Sequence, residues 1–220
     1  QDPTSNALRI RPPYSDIDLS FPDGSDFVNS VRILDIQRLR GIRQLGVMAI
    51  LSSDMRHNGR RMELLGNRYD HSLTTAIYAQ TIAGNIGLGE KEIRLARDSG
   101  TLHDRKMPAG GDATQRLDTD RLDEEKHWGE DLPIEVEEYF DRHDITLQEV
   151  DDAINGRGLI GEILNHADRI SYVLGDLQQL HRPPLRPDLG TIYKDIALDE
   201  DSGHLFFRDR KKLWWLLLER

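Results

Sequence analysis

Residues 90–104 have the sequence EKEIRLARDSGTLHD, and this stretch decides how the chain is expected to fold. Its apolar side chains recur at helical spacing, which predicts a helix over residues 90–103. The helix delivers the adjacent pair His103 and Asp104 at its C-terminal end, where the curvature of the chain lets both side chains point inward. An imidazole beside a carboxylate in this position is a candidate pair of metal ligands.

Two further residues on predicted helices extend this pair to four candidate ligands. His71 lies on a helix predicted over residues 69–86, and Asp168 lies on a helical stretch over residues 159–180. Two imidazoles and two carboxylates suit a first-row divalent cation such as Fe, Mn, Ni or Zn better than calcium or a structural zinc. Four protein ligands without a thiolate leave positions on the ion for water and a substrate oxygen, as a hydrolytic metal requires.

Composition excludes several classes of protein. The chain has 220 residues, enough for about one domain, a formal net charge of −10 and no cysteine. Disulfides, thiolate zinc sites and cysteine nucleophiles are therefore excluded. No apolar run approaches the ~20 residues of a membrane span, and a charged-then-apolar signal is absent, so we expect a cytoplasmic protein without membrane contact. The acidic balance argues against bulk nucleic-acid binding.

Arginines are concentrated in one segment of this acidic chain. From Arg32 to Arg68 there are eight arginines and only three acidic residues. Such a basic island suits a small anionic ligand.

The pattern predicts a mainly all-α protein in three parts. Residues 1–27, rich in Pro, Asp and Ser, look like an N-terminal arm, and residues 28–182 form the main helical domain. Residues 183–220 are predicted to form a small β-hairpin and a terminal helix. The apolar end of that helix, with Trp214 and Trp215, is what we expect of a truncated chain or of a helix that packs on a partner.

A long loop over residues 105–120, with Pro108 and almost nothing apolar, divides the predicted helices of the main domain. A loop of this length without structure of its own is more often functional than filler. Thr146 and Glu149 form a capping box, which marks where a helix begins. The remaining predictions are helices over residues 28–51, 121–128, 134–142 and 147–155, a break near Asn165 in the helical stretch 159–180, and hairpin strands over 191–198 and 204–207.

Four sequence motifs resemble the HD superfamily of metal-dependent phosphohydrolases, which is named for an adjacent His-Asp pair. They are TLHD at residues 101–104, RLRGIRQLG at 38–46, NRYDHSL at 67–73 and ADRISYVLGD at 167–176. The closer resemblance is to the deoxynucleoside triphosphate triphosphohydrolase (dGTPase-like) branch, and it extends over residues 31–176. It implies an HD-domain helical bundle, a homo-oligomer, and a divalent metal ion (Mn, Fe, Ni, Co, Zn or Mg) held by the four ligands named above.

The resemblance also implies which residues bind a substrate. It places Gln44 and Asp176 near the deoxyribose hydroxyl and Leu45 against the sugar or base. It places Arg68 on the α-phosphate and Tyr172 on the sugar or the phosphates.

The segment after the His-Asp pair departs from this branch. It has the sequence RKMPAGGDAT at residues 105–114 and lacks the further histidines that are usual there. Asp112 lies in a Gly-Asp-x-Thr context that is similar to HD-type 5′-deoxynucleotidases, where an aspartate in this loop assists catalysis. The acid that protonates the leaving oxygen is therefore either Asp112 or His127, and Arg68, helped by Arg43 or by the loop cations Arg105 and Lys106, offsets charge on the phosphoryl oxygens.

Three functions follow as hypotheses. The first is hydrolysis of a dNTP to deoxynucleoside and triphosphate by a metal-activated water. The second is a 5′-nucleotidase or phosphomonoesterase that uses the same metal site on another phosphate ester, and the third is a weakly active HD subunit that binds nucleotide.

Other polar pairs have simpler interpretations. His143 and Asp144 also spell His-Asp but directly precede the capping box, which indicates a helix-entry role. Glu124 and Glu125 are interpreted as a solvated helix face.

Overall fold

The computed structural model of the chain describes residues 67–109, 111–179 and 187–211, and short pieces at 8–10, 19–21, 30, 32–34, 36, 38–39, 56–57 and 60–61. Over these residues the protein is mainly helical, with small antiparallel hairpins, which confirms the predicted fold class. The helices are α1 (Arg68–Asn85), α2 (Glu90–Leu102), α3 (Asp112–Gln115), α4 (Thr119–Leu122), α5 (Glu124–His127), α6 (Ile134–Arg142), α7 (Leu147–Ile154), α8 (Gly158–Gln179) and a 3-10 helix (Pro187–Asp195). The strands are β1 (Leu8–Ile10), β2 (Leu19–Phe21), β3 (Arg56–His57), β4 (Arg60–Arg61), β5 (Ile196–Leu198) and β6 (Leu205–Phe207).

Helix α1 lies at the centre of the described fold and packs against both α2 and α8. It comes very close to α2 at Gly100, where an added Cβ atom would lie 2.9 Å from the Ala76 Cα atom. No side chain fits at that distance, so a glycine is required for the two backbones to approach. The contact fixes the end of α2, which carries His103, against the middle of α1.

Two apolar clusters form the core on either side of this helix pair. The first joins α1 and α2 to α6 and α7, and its largest members are Leu34, Tyr69, Trp128, Tyr139, Phe140 and Leu164. The second joins α1 and α8 to the 3-10 helix and the C-terminal hairpin, and its largest members are Tyr78, Ile82, Ile163, Ile170, Tyr193 and Phe207. Burial of each large apolar side chain contributes about 1.5–3 kcal/mol, so these clusters hold the helices that carry the candidate ligands.

A buried polar network ties α2 to α6 in the first cluster. The Asp98 carboxylate receives hydrogen bonds from Arg97 Nε at 2.8 Å and from the Tyr139 hydroxyl at 2.8 Å. Arg97 Nη2 in turn donates to the Tyr139 oxygen at 2.9 Å. Because Asp98 is fully buried, these partners are what makes its charge tolerable in the core.

The C-terminal hairpin confirms the predicted type of element but is shorter than expected. Strands β5 and β6 pair antiparallel with Ile196 opposite Phe207 and Leu198 opposite Leu205. Residues 191–195, which were expected in the first strand, belong to the 3-10 helix instead. The predicted terminal helix lies mostly outside the described residues.

Local sequence signals located several helix boundaries correctly. Helices α6 and α7 begin at Ile134 and Leu147 as predicted, and Thr146 and Glu149 form the predicted capping box. The predicted break near Asn165 is wrong, because α8 continues through this exposed residue while its apolar face packs in the core.

The long loop was predicted to have no structure of its own, and this too is wrong. It contains α3 and the beginning of α4, and Asp123 separates α4 from α5 by accepting a hydrogen bond from the Glu125 N–H at 3.1 Å. The predicted helix over residues 28–51 lies largely outside the described residues. No described helix is long and apolar enough to span a membrane.

Candidate metal centre

Helix α1 brings the first candidate ligand into the core one turn after it begins. Asn67 caps the helix, and its Oδ1 accepts a hydrogen bond from the Asp70 N–H at 2.9 Å. The cap places Arg68 and His71 on the buried side, with 8% and 4% of their surfaces exposed. A histidine and an arginine are thus buried side by side on the first turn of α1.

The end of α2 brings the second and third candidate ligands to the same place. His103 follows the last helical residue, and its Nδ1 lies 2.8 Å from the Gly100 carbonyl oxygen. Asp104 is 2% exposed. One ligand atom from each of His71, His103 and Asp104 lies within 4.8 Å of the other two, close enough for the three to share one ion.

Asp168 on α8, the fourth candidate ligand, lies beside this group. Its Oδ1 is 2.8 Å from His71 Nε2 and 3.6 Å from His103 Nε2. Asp104 Oδ2 is 3.7 Å from His71 Nε2 and 3.6 Å from His103 Nε2. Each carboxylate therefore contacts both imidazoles, so all four predicted ligands converge from three helices.

Each histidine ring makes a contact through Nδ1 on the side away from the centre. This contact determines that Nε2, which faces the centre, has the free lone pair in the neutral ring. The Gly100 carbonyl can only accept, so His103 Nδ1 must carry the hydrogen that lies between them. Ser171 Oγ donates to the His71 carbonyl oxygen at 3.4 Å and lies 3.1 Å from His71 Nδ1, from which it can accept. In the neutral rings both Nε2 atoms thus keep their lone pairs for a metal, and the donor set fits a first-row divalent cation.

The charges at the centre are strongly coupled. Burial lowers the pKa of His103, but the carboxylates of Asp104 and Asp168 outweigh burial and raise that pKa to about 9. Burial raises the pKa of Asp104, yet the cationic His103 and Arg68 outweigh it and hold the pKa below its usual value. The pKa of Asp168 is also lowered, because hydrogen bonds from His103 and His71 outweigh its burial. Both carboxylates are ready to bind a cation, which must displace the His103 proton.

Arg68 adds a fixed positive charge at the edge of the centre. Its Nη1 donates to Asp104 Oδ2 at 3.0 Å, and both side chains are buried. The ion pair orients Asp104 and leaves a guanidinium next to the predicted ion, where it can reach an anionic substrate. The Asp168 side chain is 35% exposed, against 3% for Asp104, so the centre opens to solvent on the side of Asp168.

A cavity of about 420 Å³ lies next to the segment that follows Asp104, and cations line it. Its lining includes Arg38, Arg105 and Lys106. Arg38, from the predicted basic island, donates through Nε to the Arg105 carbonyl oxygen at 2.9 Å. This surface is suited to an anion.

The two predicted acids differ in what the structure describes of them. Both ring nitrogens of His127 are engaged outside the metal centre, Nδ1 with Glu130 Oε1 at 2.7 Å and Nε2 with the Asp120 carbonyl oxygen at 2.9 Å. These partners raise the pKa of His127, the Asp120 carbonyl first and Glu130 second. Asp112 is the first residue of α3, and its side chain lies outside the described part of the structure.

The structure describes few of the predicted substrate contacts. Gln44, Leu45 and Arg43 lie outside the described residues, as does the side chain of Asp176. Tyr172 is partly buried and packs against the second core cluster. The substrate contacts assigned to these residues and to Tyr172 therefore remain predictions.

Arg105 and Lys106 have structural partners that the sequence did not reveal. Arg105 Nη1 donates to the carbonyl oxygens of Trp128 and Glu130, both at 2.9 Å, and its Nη2 donates to that of Asp131 at 2.9 Å. Lys106 Nζ contacts Asp131 Oδ2 at 3.2 Å. The guanidinium of Arg105 thus ties α5 to the His-Asp pair, in addition to lining the cavity.

Glu124 is the functional candidate that sequence reasoning missed, because a solvated helix face was expected there. Its Oε2 is buried and has no hydrogen-bond partner among the described residues. Glu124 interacts electrostatically with Asp104 and Arg68, and Glu125 does so with His103 and Asp168. The predicted solvated face is therefore wrong for Glu124. No local signal identifies this, since burial of an oxygen in so short a helix depends on tertiary packing.

Comparison with known proteins places the fold but not the family. No family model matches the chain, and no curated protein matches it. Two solved structures share the fold, a hypothetical protein from Aquifex aeolicus and a phosphohydrolase from Bacteroides thetaiotaomicron, each with a TM-score of 0.65 and 15% sequence identity. The alignments cover 97% of this chain but only 57% and 52% of those two proteins, so the chain spans little more than half their length.

Proposed function

We propose that the protein is a metal-dependent phosphohydrolase that acts on deoxynucleotides, most simply on a dNTP, to give deoxynucleoside and triphosphate. The observation that carries the proposal is the convergence of His71, His103, Asp104 and Asp168, with both imidazoles presenting Nε2 to the centre. A shared fold with a protein named phosphohydrolase supports it, as does the resemblance of the four motifs to the HD superfamily.

The chain's own residues supply binding and charge compensation. A divalent cation in the centre would polarise a phosphoryl oxygen and activate water. Arg68 holds Asp104 and presents its guanidinium to the phosphate, where it offsets charge that develops during bond breaking. The exposed side of Asp168 leaves room for the substrate to reach the centre.

A second substrate class is favoured by the segment after Asp104. This segment contains no histidine over residues 105–114, whereas the triphosphohydrolase branch has further histidines there. A nucleoside monophosphate, or another phosphate monoester, would need fewer groups around the distal phosphates. The metal centre serves both substrates equally.

Product identification separates the two substrates. The protein is incubated with mono-, di- and triphosphate nucleotides and with Mn, Fe, Ni, Co, Zn or Mg in turn, and products are resolved by anion-exchange chromatography. Inorganic triphosphate from a dNTP supports the first substrate, and phosphate released only from monophosphates supports the second. Asp168→Ala, which removes a ligand on the exposed side, should abolish turnover, and turnover that survives in this variant would contradict the proposed centre.

A further inference from the structure

Helix α5 and the turn that follows it are held in place by long-range contacts. Arg105, next to Asp104 in the chain, donates to three carbonyl oxygens in the turn that follows α5. Trp128, the residue after α5, is 4% exposed, and its Nε1 donates to Asp151 Oδ1 on α7 at 2.9 Å. The helix is thus tied both to the His-Asp segment and to the core.

Glu124, the first residue of α5, has a carboxyl oxygen in an unusual environment. Its Oε2 is buried, and no described group donates to it. An unsatisfied buried polar atom costs about 1–3 kcal/mol, so a side chain with only a structural role would be expected to turn toward water or toward a donor. A carboxyl held in this state is available to a bound molecule.

Several charged groups interact with the Glu124 carboxyl and set its pKa in the metal-free protein. They are Arg68 on α1, Asp104 at the end of α2, and Glu125 on its own helix, together with its own backbone N–H. Burial, followed by repulsion from Asp104 and Glu125, raises the pKa of Glu124 to about 7. A general acid works best with a pKa near the working pH.

We infer that Glu124 donates the proton to the leaving oxygen during phosphate-ester hydrolysis at the neighbouring metal centre, an inference that rests on the proposed function. The water oxygen forms a bond to phosphorus, and the bond between phosphorus and the leaving oxygen breaks. The electron pair of that bond stays on the leaving oxygen, which takes the proton from Glu124 Oε2 and departs as an alcohol. The proton lost by the attacking water restores the carboxyl before the next turnover.

Glu125 supplies a matched control on the same helical turn. It has the same side chain and interacts electrostatically with His103 and Asp168, but it is exposed to solvent. Glu124→Gln and Glu125→Gln each replace one carboxyl group near the centre with an amide. A difference between the two variants therefore reports more than charge.

The leaving group provides the test. With dGTP or dGMP, whichever the wild-type protein hydrolyses, the leaving group is an alkoxide that requires a proton. With 4-nitrophenyl phosphate the leaving group is a stable anion. We expect Glu124→Gln to lower kcat by about 10²-fold or more on the nucleotide and much less on the nitrophenyl ester. Glu125→Gln should change both rates alike and little, and Glu124→Asp should restore part of the nucleotide rate.

A second readout is the pH profile on the nucleotide. The wild-type kcat should fall as pH rises and the acid loses its proton. The kcat of Glu124→Gln should not show this fall. Three outcomes would overturn the role of Glu124 alone. They are an equal loss of kcat on both substrates, an equal loss of kcat in both glutamine variants, and a fall of kcat at high pH that persists in Glu124→Gln. A wild-type protein that hydrolyses neither substrate with any metal would overturn the proposed function and this inference together.

Discussion

The Nε2 atoms of His71 and His103 lie 3.3 Å apart, and each ring is held from behind through its Nδ1. Two neutral imidazoles would present lone pairs to each other at this distance, and that arrangement is repulsive. A proton or a cation shared with Asp168 removes the repulsion. Because the pKa of His103 is raised to about 9, a proton fills this position at neutral pH in the metal-free protein, and a metal cation would take its place.

The first prediction concerns metal content. Elemental analysis should find a first-row divalent metal in the wild-type protein and little in His103→Ala or Asp168→Ala, because each loses a converging ligand. Saturation at a hundred times the dissociation constant should stabilise the fold by about 2.7 kcal/mol, which thermal unfolding detects. His127→Gln removes a histidine outside the centre and should keep the metal; loss of metal from this variant as well would contradict the assignment.

The second prediction concerns the pH dependence of metal binding. The pKa of His103 is raised to about 9 without metal, so below that pH the cation must displace a proton. Affinity should rise by up to tenfold per pH unit and level off above about pH 9. Calorimetric titration in buffers of different ionisation enthalpy measures the protons released. A constant affinity between pH 6 and pH 8 would show that His103 is not a ligand.

The third prediction concerns Arg68. Its ion pair orients Asp104, and loss of such a partner typically lowers metal affinity by about 10–100-fold. Arg68→Ala should show this loss in a competition titration with a chelating dye, and Arg68→Lys should show less of it. Affinity equal to that of the wild type in Arg68→Ala would mean that Asp104 is oriented by other contacts.

The fourth prediction concerns the attachment of α5. Arg105→Ala removes the donor from three carbonyl oxygens and should cost about 2–3 kcal/mol. Hydrogen exchange should accelerate first over residues 124–131. Arg142→Ala is the control, because Arg142 is exposed and its Nε donates to the Glu138 carbonyl oxygen of its own helix. Its cost should stay within about 0.5 kcal/mol. Equal exchange rates in both variants would refute the role of Arg105.

The fifth prediction concerns stability and pH in the metal-free protein. The pKa of Glu124 rises from its ordinary value to about 7 on folding, so the folded state binds the proton more tightly. The free energy of unfolding of the wild-type protein should therefore fall as pH rises from the ordinary pKa of a glutamate to about 7. Glu124→Gln has no proton to lose at this position, so its free energy of unfolding should fall by less. Urea unfolding at pH 5 and pH 8 measures the difference, and equal changes in the two proteins would contradict it.

Much of the fold was predictable because its signals are local, and the structure brings the four candidate ligands close together. The capping box at Thr146 begins α7, and helical spacing defined α2 up to His103. The environment of Glu124 was not predictable, since it depends on tertiary packing. Contacts between distant residues occur here, as Arg105 donates to carbonyl oxygens more than twenty residues away, in the turn after α5. The break assigned near Asn165 failed for a related reason, because packing of the opposite face of α8 outweighs the weak helix propensity of one exposed residue.

The glycine at position 100 has a consequence for which ions the protein can bind. Gly100 sets the spacing between α1 and α2, and its carbonyl oxygen also fixes the His103 ring. A methyl group there would force the two helices apart and widen the gap between the imidazoles, although none of the four ligand residues would be changed. Gly100→Ala would then be expected to favour cations of larger ionic radius over smaller ones, so the selectivity of the centre is set by backbone contact as well as by the ligands themselves.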